Sequence, residues 1–202
     1  MDVRSKEAFA AAHIPGAINI PFGPTLPTWA GWVLPYDWPT LIVVDGPAQM
    51  PEVTKHLLRV GFDDIQGWLE GGMDAWQTSG YEMGTLTTLA VQTVPDRPGD
   101  VTILDVRTEK EWNAGHIDGA IHIHGGKLQE NFELVPRDQP VVVICGSGYR
   151  GSIAASFLKR EGYDNVSNVL GGMSAWKASG LPFVTSEDRG NSSCRVSATS
   201  SA

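Results

Sequence analysis

Cysteine is scarce in this chain, with two residues in 202, Cys145 and Cys194. Two cysteines are too few for a disulfide framework, and Cys194 sits in a polar stretch with little to fix it, so Cys145 is expected to be a free thiol. Long apolar runs are missing as well. The longest, residues 41–44 and 141–144, fall far short of the roughly 20 residues that a helix needs to cross a bilayer. The opening Met-Asp-Val-Arg-Ser lacks the basic and then apolar order of a secretory signal. Basic residues are outnumbered by acidic ones, 15 to 23, the net charge is −8, and no basic cluster is longer than Lys159-Arg160. These absences predict a soluble, cytoplasmic protein with neither nucleic acid nor membrane as a partner. With 42% hydrophobic and 19% charged residues, the chain has material for one large or two small domains.

Self-comparison favours two domains. Asp2-Val3-Arg4 recurs as Asp105-Val106-Arg107, and His13-Ile14-Pro15-Gly16-Ala17-Ile18 as His116-Ile117-Asp118-Gly119-Ala120-Ile121, both offset by 103. Gly71-Gly72-Met73-Asp74-Ala75-Trp76 recurs as Gly171-Gly172-Met173-Ser174-Ala175-Trp176, offset by 100. A period near 100 residues is too long for a solenoid and fits a duplicated domain. The expected division is a first domain at 1–84, a linker at 85–99 that could hold a short strand at 89–94, a second domain at 100–184, and a disordered Ser-rich tail at 185–202. In the second copy, strands are expected at 101–105, 120–123, 141–145 and 166–170. They alternate with helices at 108–114, 127–132, 151–161 and 173–179. That alternation predicts an α/β fold, two tandem domains each with a mostly parallel sheet flanked by helices, and a site at the carboxyl ends of the strands.

Cys145 falls at such an end. The run Val141-Val142-Val143-Ile144 reads as a buried parallel strand and delivers the cysteine into Gly146-Ser147-Gly148-Tyr149-Arg150-Gly151. Backbone N–H groups of a glycine-rich loop that opens a helix converge on an anion and favour thiolate over thiol. A free thiol titrating near about 8.5 is otherwise only slightly ionised at neutral pH. Gly146 and Gly148 permit positive φ, and Arg150 supplies a cation or a hydrogen-bonding fork. The first copy aligns Asp45 with Cys145 and Met50 with Arg150, and Pro47 removes one N–H from its loop. A carboxylate is no substitute for a thiol nucleophile, so the first copy is expected to be catalytically silent, with a structural or interactive role.

The set Asp105-Val106-Arg107, Glu111-Trp112, Gly115-His116-Ile117, Gly119-Ala120, Cys145 with Gly148 and Arg150, and Gly171-Gly172-Met173 with Ala175-Trp176 resembles the rhodanese family. The resemblance implies a sulfurtransferase: Cys145 takes a sulfane sulfur from thiosulfate or a low-molecular-weight persulfide and hands it to a thiol, cyanide or sulfite acceptor. Residues 146–151 would form the substrate-binding loop, no cofactor would be needed, and the partners would be a small sulfur-containing anion and a thiol acceptor. Thiosulfate-using members often carry a basic residue beside the cysteine; Gly146 and Ser147 stand there instead, which favours the persulfide donor. Two alternatives remain, a non-catalytic rhodanese-like binding module and a cysteine phosphatase or arsenate reductase. Phosphatases of this kind place five residues between cysteine and arginine, and this loop has four, Gly146 to Tyr149.

The second copy has Val101-Thr102-Ile103-Leu104 before its Asp-Val-Arg, whereas the first begins at Met1 and is expected to lack the corresponding strand, which would expose an edge or leave a gap in its core. It also carries a Pro- and Trp-rich insert at 21–39. Both features resemble proteins in which a metallo-β-lactamase-like persulfide dioxygenase precedes rhodanese domains, which would make this chain the C-terminal part of such a fusion. Asp105, Arg107, Glu111 and His116 are expected to form a buried polar network rather than to act on substrate. His122 and His124 lack the partners of a metal site, and Trp76 and Trp176 are expected to pack the last helix of each copy.

Overall fold

The computed structural model describes residues 1–94 and 100–185. Pro95, Pro98 and Gly99 of the expected linker, and the expected tail from 186 with Cys194, lie outside the described residues. The first copy runs α1 (Lys6–Ala11), α2 (Leu26–Val33), β1 (Thr40–Ile42), α3 (Met50–Leu58), β2 (Ile65–Trp68) and α4 (Gly72–Thr78). The second comprises β3 (Thr87–Leu89), β4 (Thr102–Asp105), α5 (Glu109–Asn113), β5 (Ile121–His122), α6 (Leu128–Asn131), β6 (Val141–Ile144), α7 (Tyr149–Arg160), β7 (Val166–Val169) and α8 (Gly172–Ala178).

The second sheet has the order β3-β7-β6-β4-β5, with every pairing parallel. Its central strand β6 is buried along its length because both faces are covered, as a continuous β-branched run requires. Val141, Val143 and Cys145 point into a large core that also holds Ile153, Ala154, Phe157 and Leu158 of α7. Val142 and Ile144 point the other way, onto Met173 and Trp176 of α8. This alternation follows from the period of two along a strand. The edge strand β3 falls inside the stretch expected to be a linker. The strand expected at 89–94 is instead at Thr87–Leu89, and a 3₁₀ turn follows at Val91–Thr93.

In the first copy, Met1 to Val3 lie in the place of β4. Asp2 bridges both Asn19 and Val43 in parallel, and Val3 N donates to Val43 O at 2.9 Å. The beginnings of the two copies match in detail. Arg4 is paired with Asp2 and donates to Ala12 O at 2.7 Å, as Arg107 is paired with Asp105 and donates to Gly115 O at 2.8 Å. Phe9 stacks on His13 as Trp112 stacks on His116. The ends match less closely: α8 buries Gly172, Met173 and Trp176, whereas α4 buries no residue. Each tryptophan still closes its helix, with Trp76 Nε1 donating to Glu82 O and Trp176 Nε1 to Pro182 O, both at 2.8 Å.

The two copies share one core. Buried residues of α1, α2 and α3 belong to the same apolar cluster as those of β6 and α7. The Pro- and Trp-rich insert joins them, because α2 turns Trp29 onto Gly125 and Trp32 onto Gly126, where a Cβ would stand 3.0 Å and 2.8 Å from the rings. Burying a large apolar side chain such as Trp29 stabilises by about 2 kcal/mol.

Candidate active site

Cys145 leaves the end of β6 fully buried. Its Sγ accepts from Gly148 N at 3.1 Å and from Gly151 N at 3.2 Å. These two N–H groups open α7, and Gly148 stands at its N-cap with φ +90°, a conformation that a side chain would strain. Two amide dipoles aimed at one sulfur, at the positive end of a twelve-residue helix, stabilise negative charge there.

The loop is held from below and from the side. Met173 N donates to Cys145 O at 2.7 Å and Ser174 N to Gly146 O at 3.0 Å, so the start of α8 fixes the loop's carbonyls. This contact accounts for Gly172, since a Cβ there would collide with Cys145 O; Gly72 of the first copy has no such neighbour among the described residues and shares only the left-handed φ. Asn168 on β7 is buried, and its Nδ2 donates to Gly148 O at 3.0 Å. Its Oδ1 has no hydrogen-bond partner among the described residues and is pressed against Gly151, where a Cβ would collide with it. Asn168 was not legible in the sequence, because one polar residue within Val-Ser-Asn-Val gives no sign of facing a loop.

Arg150 reaches across to Glu111 in a two-pronged ion pair, Nη1 to Oε2 at 2.7 Å and Nη2 to Oε1 at 2.6 Å. Glu111 Oε2 also accepts from Thr108 N and Oγ1, in a capping box that starts α5. The Arg150 guanidinium, aided by Thr108, holds the Glu111 carboxyl down at about 2 against the unfavourable effect of its burial. The same pair raises Arg150 above its ordinary value. Glu111 is therefore separate from the buried network expected for it: Asp105 and Arg107 pair with each other, and Glu111 on α5 pairs with Arg150 of the cysteine loop.

The remaining loop residues face the first copy. Ser147 and Tyr149 line a cleft of about 450 Å³ with Ser5, Lys6, Phe22, Asp45 and Gln49. Tyr149 is half-buried, and burial raises its hydroxyl above the ordinary value. His122 stacks on Trp112 and its Nε2 lies 2.8 Å from Arg107 O, while His124 meets Trp32 edge-on.

The backbone corrects one expected correspondence. Thr40 pairs with Ile65 as Val141 pairs with Val166, and Asp2 bridges Val43 as Asp105 pairs with Ile144. Past the loop, Phe62 N donates to Leu57 O as Tyr163 N donates to Leu158 O. The residue in the place of Cys145 is thus Val44, and Asp45 stands in the place of Gly146. Pro47 replaces Gly148, Gln49 replaces Arg150 and Met50 replaces Gly151. The one-residue difference is taken up at Gln66, where the β1–β2 register shifts. Asp45 N accordingly meets Gln49 Oε1 at 3.2 Å, across the same span that separates Gly146 from Arg150. The first copy lacks both a nucleophile and, through Pro47, the N–H that Gly148 turns to the sulfur.

The family model for the rhodanese-like domain matches residues 1–79 and 91–179. A sulfurtransferase from Allochromatium vinosum is 36% identical over 88 residues, covering 44% of this chain and 82% of that protein. The thiosulfate sulfurtransferase GlpE of Actinobacillus succinogenes is 34% identical over 100 residues, covering 45% of this chain and 87% of that protein. Among solved structures, a rhodanese-related protein from Thermoplasma volcanium is similar over 48% of this chain and 97% of its own, at 32% identity and a TM-score of 0.46. No helix among the described residues is long and apolar enough to cross a membrane.

Proposed function

The chain belongs to the rhodanese-like domain family, and on that premise we propose that it is a sulfurtransferase whose second copy carries sulfur as a persulfide on Cys145. The observation that carries this reading is the pair of backbone N–H groups, of Gly148 and Gly151, on the Cys145 sulfur. A thiolate is the attacking form of cysteine, and donors already in place stabilise its charge without reorganising during the reaction. Names given to related proteins, sulfurtransferase and thiosulfate sulfurtransferase, support the same chemistry.

In the first half-reaction the thiolate attacks the sulfane sulfur of a donor. A new S–S bond forms on Cys145, the donor's own S–S bond breaks, and its electron pair leaves on the released thiolate or sulfite. In the second half-reaction an acceptor thiol, cyanide or sulfite attacks the outer sulfur and returns Cys145 as thiolate. The two steps balance without an external oxidant or reductant. We assign a low-molecular-weight persulfide as the preferred donor over thiosulfate. Residues 146 and 147 are uncharged, and the loop's one cation, Arg150, is already neutralised by Glu111, so little net charge remains to attract a dianion.

Incubation with glutathione persulfide or thiosulfate, followed by intact mass and peptide mapping, tests both statements. One added sulfur on the Cys145 peptide, absent in Cys145→Ser and faster from the persulfide, is expected. No added sulfur from any donor would leave a non-catalytic binding module, and faster loading from thiosulfate would overturn the donor assignment.

A further inference from the structure

The two copies use one scaffold position differently. Next to β4, His122 holds the carbonyl of Arg107; the matching residue beside Asp2 is Asn19, whose Nδ2 donates to Arg4 O at 3.1 Å and to Asp2 O at 3.2 Å. Asn19 is fully buried, and two of its remaining polar groups cross to the second copy. Its backbone N donates to Ser156 Oγ at 2.9 Å, and its Oδ1 accepts from Ser152 Oγ at 2.7 Å. Both serines are buried on successive turns of α7.

Ser152 directly follows Gly151, one of the two donors to the sulfur, and Ser152 N donates to Gly148 O at 3.1 Å. A second tie lies just before Gly151: Tyr149 Oη donates to Pro21 O at 3.0 Å and accepts from Thr25 Oγ1 at 3.1 Å. Residues 148–152, which carry both sulfur-facing N–H groups, are thus fastened to the first copy on either side of Gly151. The serine places are occupied in the first copy by Pro51 and Lys55, neither of which has a hydroxyl to offer.

We propose that the silent copy is a positioning brace for the catalytic loop, in which Asn19 and the 21–25 turn set the direction of the Gly148 and Gly151 N–H groups and thereby the reactivity of Cys145. A buried and fully satisfied polar network is stiff, and misplacing a catalytic group by about 1 Å costs up to about 100-fold in rate. The inference rests on Cys145 being the reacting group but not on sulfur being what it carries. Its test therefore reads the thiol directly.

The experiment is alkylation of the full chain by iodoacetamide across pH, followed by mass mapping of Cys145, with thermal melting recorded in parallel. Asn19→Leu is expected to slow Cys145 alkylation at neutral pH about tenfold and to move the rising limb of the rate to higher pH. Tyr149→Phe and Ser152→Ala are expected to slow it about threefold each. The Asn19→Leu/Ser152→Ala pair should be no slower than Asn19→Leu alone, because both remove the same bond. A folded Asn19→Leu variant with the parent's rate and pH limb, whatever its melting temperature, would overturn the brace. If Asn19→Leu does not fold, parental rates in both Tyr149→Phe and Ser152→Ala would overturn it equally. Loss of sulfur loading with an unchanged alkylation rate would contradict it while leaving the sulfurtransferase reading in place.

Discussion

At the end of its central strand one copy has Val44 and the other Cys145; three residues on, one has Pro47 and the other Gly148. Where the second copy joins Arg150 to Glu111, the first has Gln49 and Ala8. The Asp-Arg pairs, the stacked histidines and the pairing of Asp2 with Val43 and of Asp105 with Ile144 agree between the copies. The scaffold therefore stands without a cysteine at this position. What the second copy adds beyond the cysteine is a pair of N–H donors on its sulfur, a glycine in the left-handed region, and an arginine tethered to Glu111 on the loop's far side.

The largest expected effect comes from removing the nucleophile: Cys145→Ser should abolish sulfur loading of the second copy, read by intact mass. Nearly as large is Gly151→Ala, whose Cβ would collide with Asn168 Oδ1. It should lower the Cys145 alkylation rate at least about tenfold and destabilise the fold by about 2 kcal/mol, as overpacking does. Giving the second copy the alanine of the first, Glu111→Ala, should release Arg150 and slow sulfur loading by about tenfold, with Glu111→Asp recovering part of the loss.

The smallest effect concerns acid stability. Glu111 is depressed to about 2 in the folded protein, so its contribution is present above its unfolded value near 4.5 and is lost as pH falls from there towards 2. The carboxylate is 36% exposed, and solvent screening reduces the contribution to about 1 kcal/mol. Because pH 3 lies between the two values, urea unfolding at pH 6 and pH 3 should show somewhat over half of that difference between the parent and Glu111→Gln, and equal losses in both proteins would contradict it.

Much of this was legible in the sequence. The continuous Val-Val-Val-Ile run predicted a strand buried on both faces, and the helix and strand spans of the second copy match to within a few residues, because repeated motifs and caps fix their ends. Besides Asn168, three features were not legible. The strand Thr87–Leu89 is short, with both threonines exposed, and takes its conformation from pairing with β7 rather than from its own pattern. The place of Asp45 is hidden in the sequence because the 100-residue offset of the Gly-Gly-Met repeat puts Asp45 opposite Cys145, and only the strand register reveals the extra residue at Gln66. The Glu111–Arg150 pair joins residues far apart in sequence. Half of it was nevertheless signalled, since Thr108 with Glu111 reads as a capping box.

The most direct test of the comparison is to move the nucleophile. A Val44→Cys/Cys145→Ser double variant, treated with glutathione persulfide and mapped by peptide mass, should gain no sulfur at position 44, because Pro47 denies that position the donor that Gly148 provides. Sulfur loading at position 44 at the rate of the parent's Cys145 would contradict the account, since the cysteine alone would then suffice.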